Sequence, residues 1–323
     1  MSIELLIQDN TNGNVYDVSN LAEGQITWNT ERMGGASKLE FKIINDGIVK
    51  FYEGSVVRFK YNKNNIFYGY VFSRGRNKDK IIKVVAYDQM RYLKNKETEF
   101  FENKKANEVL TKIANDWKLS IGTIEDTGYV IPSMVEQDKT LLDMIYKAND
   151  LTLLSTKKLY VLYDDFGKLQ LRNVENLKTD LIIDGETNLT NFDYSTSIDD
   201  DTANQVKLVK SNKETGKLEV YIVKDSSNIE KWGTLQYYEV VDDNLNEAQI
   251  TERATQSLNL YNRVYKKLSI PVLGDIRARA GFSIFINNLD LDDVKLNQYM
   301  LIEKATHTFS NDDHIMSLEL RII

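Results

Sequence analysis

No cysteine occurs in the 323 residues, which excludes a disulfide framework and any thiolate-held metal. Only two prolines occur, leaving little room for stiff linkers between folded parts. The two histidines, His307 and His314, stand seven residues apart across the polar turn SNDD. Metal-binding pairs share one element at shorter spacing, so both read as residues flanking a hairpin turn, and no metal or other cofactor is expected. A basic excess is missing too: 41 Lys and Arg face 48 Asp and Glu, a formal net charge of −7. Without clustered cations, specific nucleic-acid binding is not expected. No stretch approaches the length of an uninterrupted apolar span, so no membrane helix is expected. The start, MSIELLIQDN, lacks the basic and apolar regions of a secretory signal, which places synthesis and first folding in a cytoplasm. Phosphate-binding glycine loops and the G-x-S-x-G nucleophile elbow are also absent, which removes common nucleotide-binding and hydrolase signatures.

What is present is a β-rich pattern. Hydrophobic residues at 42% and aromatics at 10% suffice to fold a chain long enough for two or three domains. In the stretch Lys80 to Asn95, Ile82, Val84 and Ala86 alternate with their neighbours as in a strand with one apolar face, and Asp88 then reads as the N-cap of a short helix carrying Met90 and Leu93. Before it, alternation predicts at least six strands, with turns at Asn12-Gly13, Gly34-Gly35 and Lys63-Asn64-Asn65, a pattern suited to a small barrel. After it, to about Asn149, the reading is helical. Ala106, Val109, Leu110, Ile113, Ala114 and Trp117 form one stripe, and a second helix is expected to start from Asp138 as its cap. Strands at 158–163 and 168–172 close this segment, and β pattern then returns with one helix, 247–261, inside it. These readings divide the chain into a first β-domain (1–88), an α+β middle domain (89–180) and a second β-domain (181–323).

The two β-domains look like copies. Lys38 to Ile43 aligns with Lys267 to Val272. Gly54 with Val57 and Phe59 aligns with Gly281, Ile284 and Ile286, and Tyr68 to Val71 aligns with Tyr299 to Ile302. Ile82, Val84 and Ala86 align with Met316, Leu318 and Leu320, each after a polar turn, with extra residues in the second copy around Asn287 to Leu296. Catalytic chemistry is poorly supported. Asn288, Asp290 and Asp292 imitate the start of a calcium loop, but Asp293 and Tyr299 stand where Gly and Glu are required. The acidic clusters Asp164-Asp165, Asp199-Asp200-Asp201, Asp242-Asp243 and Asp312-Asp313 all fall at expected turns, where Asp bonds backbone amides, so a glycosidase is disfavoured. The tryptophans Trp28, Trp117 and Trp232 motivate a rival reading as a cell-wall or carbohydrate-binding module.

The segments KVVAYDQMRYLKN, ANEVLTKIANDW, VYIVKDSSNIEKWGTLQ and the ending GFSIFI with QYMLIEKATHTFSNDDHIMSLEL resemble the baseplate hub proteins of PBSX-type prophages and of R-type bacteriocins such as diffocins. They are more distantly similar to the late-control D hubs of contractile tails. The resemblance implies two tube-like β-barrel domains flanking a small α+β domain, in a homotrimer whose six β-domains form a ring. That ring would adapt a sixfold tail tube to a threefold central spike. It further implies a non-enzymatic role, with the spike, the tail tube protein, other baseplate subunits and the tape measure protein as partners. The particle would be assembled in a bacterial cytoplasm and later released. Ring or tube contacts are expected at Arg32, Gly34, Gly35 and Lys38 in one loop, and at Asp290, Asp292 and Asp293 in the later insertion.

Overall fold

The chain is described by a computed structural model, which covers residues 2–322 apart from 186–188, 190, 200, 213–215, 293 and 311. Asp200, Asp293 and Asn311 of the sequence reading therefore lie outside the described residues.

Seven strands come first: β1 Ile3–Gln8, β2 Val15–Asp17, β3 Ile26–Glu31, β4 Lys38–Ile44, β5 Val56–Tyr61, β6 Asn64–Arg76 and β7 Ile81–Tyr87. Alternation dictates their inner face: Leu39, Phe41 and Ile43 of β4 meet Ile82, Val84 and Ala86 of β7, all buried. Asp88 does cap the next turn, a short 3-10 helix over Gln89–Lys94, by accepting the Met90 amide at 2.9 Å. It buries Met90 and Leu93 against the following segment.

That segment is less helical than its sequence suggests. It runs β8 Lys96–Lys104, α1 Ala106–Asp116, β9 Ile121–Ile124, β10 Ile131–Thr140, α2 Leu141–Thr156, β11 Tyr160–Asp164 and β12 Leu169–Asn173. The ribbon of β8 and β10 buries only Phe101, Ile131, Met134 and Glu136, so its alternation is too sparse to read. α2 starts from Thr140, whose hydroxyl accepts the Asp143 amide at 3.1 Å. Asp138 instead sits at a bulge with φ of 52° and pairs with Lys96. Trp117 lies one residue past α1 and is 38% exposed, outside the buried stripe that Ala106 to Ala114 do form.

The last part contains β13 Lys178–Asp184, β14 Asp193–Ser197, β15 Gln205–Asn212, β16 Lys217–Lys224, α3 Ser226–Trp232, β17 Gln236–Val240, α4 Glu247–Tyr261, β18 Tyr265–Leu273, β19 Ser283–Asp290, β20 Lys295–Phe309 and β21 His314–Ile322. Here β15, β16 and β17 form a separate three-stranded sheet. α4 covers it through Ile250, Ala254 and Leu258, giving a small core of its own. This unit is larger than the single inserted helix read from the sequence.

Around that insertion the duplication is present strand for strand. β3-β4-β7-β6-β5-β1 has the same neighbour order as β14-β18-β21-β20-β19-β13. Register agrees residue by residue. Leu39 faces Ala86 as Leu268 faces Leu320, and Phe41 faces Val84 as Ile270 faces Leu318. Val57 faces Gly69 as Ile284 faces Met300. Even the irregularities repeat: a register shift lies between Val71 and Ser73 and again between Ile302 and Lys304. The strand before it starts from a glycine at positive φ, Gly54 (85°) or Gly281 (88°), whose amide donates to Val71 O or Ile302 O. A side chain at φ near +85° would be strained, and at Gly281 a Cβ would also stand 2.3 Å from Val161 Cγ1. The outermost strands differ: β1 runs antiparallel to β5, whereas β13 runs parallel to β19.

The two copies share one sheet. β3 pairs antiparallel with the second half of β20, from Glu31 opposite Lys304 to Ile26 opposite Phe309, joining both copies into thirteen strands.

Candidate functional site

Several contacts lock the junction of β3 and β20. Thr306 Oγ1 donates to Asn29 Oδ1 at 2.8 Å, and the Ala280 amide donates to Thr30 Oγ1 at 3.0 Å. Lys304 pairs with Glu31 at 3.1 Å. The Trp28 ring lies 5.1 Å from that of His307, which is fully buried. His307 Nε2 is 2.6 Å from Ala278 O and its Nδ1 is 2.9 Å from His314 Nε2. A carbonyl only accepts, so His307 carries its proton on Nε2 and accepts at Nδ1 from the Nε2–H of His314. The His307 ring, donating at one nitrogen and accepting at the other, is then neutral. Burial pushes His307 down to about 4 and lowers His314 as well. The histidines do flank the β20–β21 turn, but they form a buried dyad that seven-residue spacing did not suggest. In the register, Phe309 faces His314, so the two-residue alternation brings His307 to the same face of β20.

The loop from Glu31 to Lys38 is bound from three sides. The Arg32 guanidinium donates to both carboxylate oxygens of Glu303, at 2.7 and 3.0 Å, and the Arg32 amide donates to Glu303 O. Tyr146 OH of α2 donates to Arg32 O at 3.2 Å. A Cβ on Gly34 would collide with Glu31, and Gly35, at φ 94°, sits against Leu142 of α2. Ser37 donates through amide and hydroxyl to Asp88. Lys38 opens β4 and pairs with Glu40 at 2.8 Å. These residues therefore knit β20, α2 and the first β-unit together, while Met33 at the loop tip is 47% exposed. The second group lies elsewhere, at the tip of the β19–β20 hairpin. Asp290 pairs there with Lys295 at 3.0 Å and accepts the Asp292 amide, and Asp292 holds φ of 68°. The structure does not bring the two groups together.

Sequence reading missed a second buried acid beside Asp88. Asp164, at the end of β11, accepts from Gln89 Nε2 at 2.7 Å and from the Gly167 amide at 2.7 Å. Burial, with the charge of Asp164 second, pushes Asp88 up to about 7, and burial raises Asp164 too. These carboxyls brace the first β-unit against the middle segment. An open cleft of about 450 Å³ lies between the β8–β10 ribbon, α2 and β17. Its charged groups are engaged within the chain, Lys147 with Glu136 and Arg253 with Glu239. Among the described residues no group of three or more His, Asp or Glu side chains is placed to hold a metal, and no helix is long and apolar enough to cross a membrane.

The sequence profile of the YqbQ-like family matches residues 26–321. Protein YqbQ of Bacillus subtilis (strain 168) is 36% identical over 271 residues, covering 83% of this chain and 81% of that one. The phage-like element PBSX protein XkdQ of the same organism is 32% identical over 271 residues with the same coverage. Among solved structures, a tail protein from Neisseria meningitidis MC58 is 13% identical, covers 100% of this chain and 97% of its own, and superposes with a TM-score of 0.71. The β-rich fold is thus one shared with phage tail proteins, as the resemblance to PBSX-type proteins implied, and the chain belongs to the YqbQ-like family.

Proposed function

We propose that this chain is a structural, non-enzymatic baseplate component of a phage-type tail: a homotrimeric hub that joins a sixfold tail tube to a threefold spike. The observation that carries this reading is the duplication. A unit repeated in the same register, bulge and glycine included, lets three chains present six equivalent surfaces to one partner and three to another. Kinship with a protein of the PBSX phage-like element supports the setting, and it supports the spike, the tube protein and neighbouring baseplate subunits as partners. Three domains, 1–88, 89–180 and 181–323, then divide the labour, with the first and third forming the ring.

The buried acids favour this reading over catalysis. Asp88 and Asp164 are buried and committed to capping and bracing, so neither is offered to a substrate. Trp28 is likewise buried in the β3–β20 junction, which weakens a carbohydrate-binding role for it. Light scattering of the purified chain, alone and with its spike, tests the proposal. The expected species has about three times the 37.3 kDa chain mass. A monomer at every concentration, even with the spike present, would overturn it.

A further inference from the structure

The β3–β20 junction joins the first copy to the second within one chain, and the same two edges occur once more, with no further strand paired to them among the described residues. Extending the alignment upstream through the pairings with β4 and β18 places Trp28 on Tyr194, Asn29 on Ser195, Thr30 on Thr196 and Glu31 on Ser197. β14 is therefore the second copy's β3. Among the described residues its strand partner is β18 alone, and it ends the sheet. The shared bulge places Ser73 on Lys304, Arg74 on Ala305, Gly75 on Thr306 and Arg76 on His307. The end of β6 is therefore the first copy's counterpart of the β20 segment that receives β3. β5 covers β6 only as far as Tyr70, and beyond it the described strand partner of β6 is β7, on the other edge. Ser73, Gly75 and Arg76 are exposed, as are Asp193, Ser195 and Thr196.

We infer that β14 of one copy of this chain pairs antiparallel with the end of β6 of a second copy, reproducing between chains the junction that β3 and β20 make within one. This inference rests on the trimeric reading above and supplies its contact. The register follows from the alignment: Ser197 faces Ser73, Thr196 faces Arg74, Ser195 faces Gly75 and Tyr194 faces Arg76. Unpaired strand edges are templates for such addition. Because the two edges are different surfaces of the same chain, the contact is heterologous and propagates head to tail until it closes. Chemistry agrees with the pairing. The β6 edge carries Arg76 beside Arg74, whose guanidinium is already bonded to Glu53 and to Phe51 O of its own chain, while Asp193 opens β14 and Asp199 and Asp201 follow it. An aromatic against a cation at Tyr194 and Arg76 would replace Trp28 against His307.

The chain has no cysteine, so paired cysteines report this contact without background. Facing residues of an antiparallel pair have Cβ atoms close enough to be bridged, whereas a one-residue slip puts them on opposite faces. Under mild oxidation, Ser73→Cys with Ser197→Cys is expected to give reductant-sensitive species linked between copies, up to the trimer. Gly75→Cys with Ser195→Cys should do the same, since a Cβ at Gly75 meets nothing within 4 Å. The slipped pair, Ser73→Cys with Thr196→Cys, should stay unlinked. A trimer by light scattering in which no pair links, or in which slipped and matched pairs link equally, overturns the edge pairing and leaves the trimer standing. Unlinked monomer throughout overturns both.

Discussion

Replacing Phe309 by alanine is expected to lower stability by about 3–5 kcal/mol, the range for emptying a fully buried phenylalanine site. Phe309 is 0% exposed and, although it belongs to the second copy, it packs in the core of the first. Its ring meets Phe59 edge-on at 5.0 Å, tilts against Tyr61 at 4.9 Å and stacks on His314 at 4.2 Å. The loss therefore falls on the connection between copies as well as on the N-terminal core. Thermal denaturation of Phe309→Ala should show a fall in Tm on the order of 10 °C. The control Leu273→Ala, at a side chain 80% exposed, should stay within about 0.5 kcal/mol of the parent. Equal effects for the two substitutions would contradict the packing described.

The second large effect is on pH dependence, where two buried groups pull in opposite directions. His307 has a folded pKa of about 4 against an ordinary 6.5. Its stabilising contribution is therefore present above 6.5 and lost as pH falls towards 4. Asp88, raised from 3.8 to about 7, has the reverse sign: its contribution is present below 3.8 and lost as pH rises through 7. Between pH 4 and 7 the two contributions oppose each other, with Asp150 (raised to about 6) and Asp164 adding to the side of Asp88 and His314 to that of His307, so the wild-type profile alone does not resolve either. Comparing wild type with His307→Gln in urea separates them. The substitution's cost should be greatest at pH 7 and above and shrink by about 2–3 kcal/mol at pH 4.5, because there the unfolded wild-type chain gains a proton at this position that the buried imidazole does not take up, and the Gln variant has no such term. A cost independent of pH would contradict a neutral His307.

Much of the fold was legible because period-2 alternation in Leu39-Phe41-Ile43, Ile82-Val84-Ala86 and Met316-Leu318-Leu320 is driven by burial of one face. The alignment of the copies was legible for the same reason, and the observed register reproduces it. The ribbon of β8 and β10 was not, since four buried side chains in nineteen residues leave little pattern. Nor was the extension of the repeat to β3 and β14. There the match reduces to an aromatic, a polar residue and a threonine, Trp28-Asn29-Thr30 against Tyr194-Ser195-Thr196, a signal that acquires meaning only once pairings with β4 and β18 fix it. The expected contact loops were picked as loops of the two β-domains, one of them the extra stretch of the second copy, and a loop position by itself does not name its partner. Arg32 proves to be held by Glu303 of its own chain.

The measurement that tests the central claim most directly is cryo-electron microscopy of the purified oligomer viewed down its symmetry axis. Three chains with two equivalent β-units each should show six similar lobes around an open channel, with the middle segments repeating three times. Three lobes without a second set of like density, or a particle without a channel, would contradict the account.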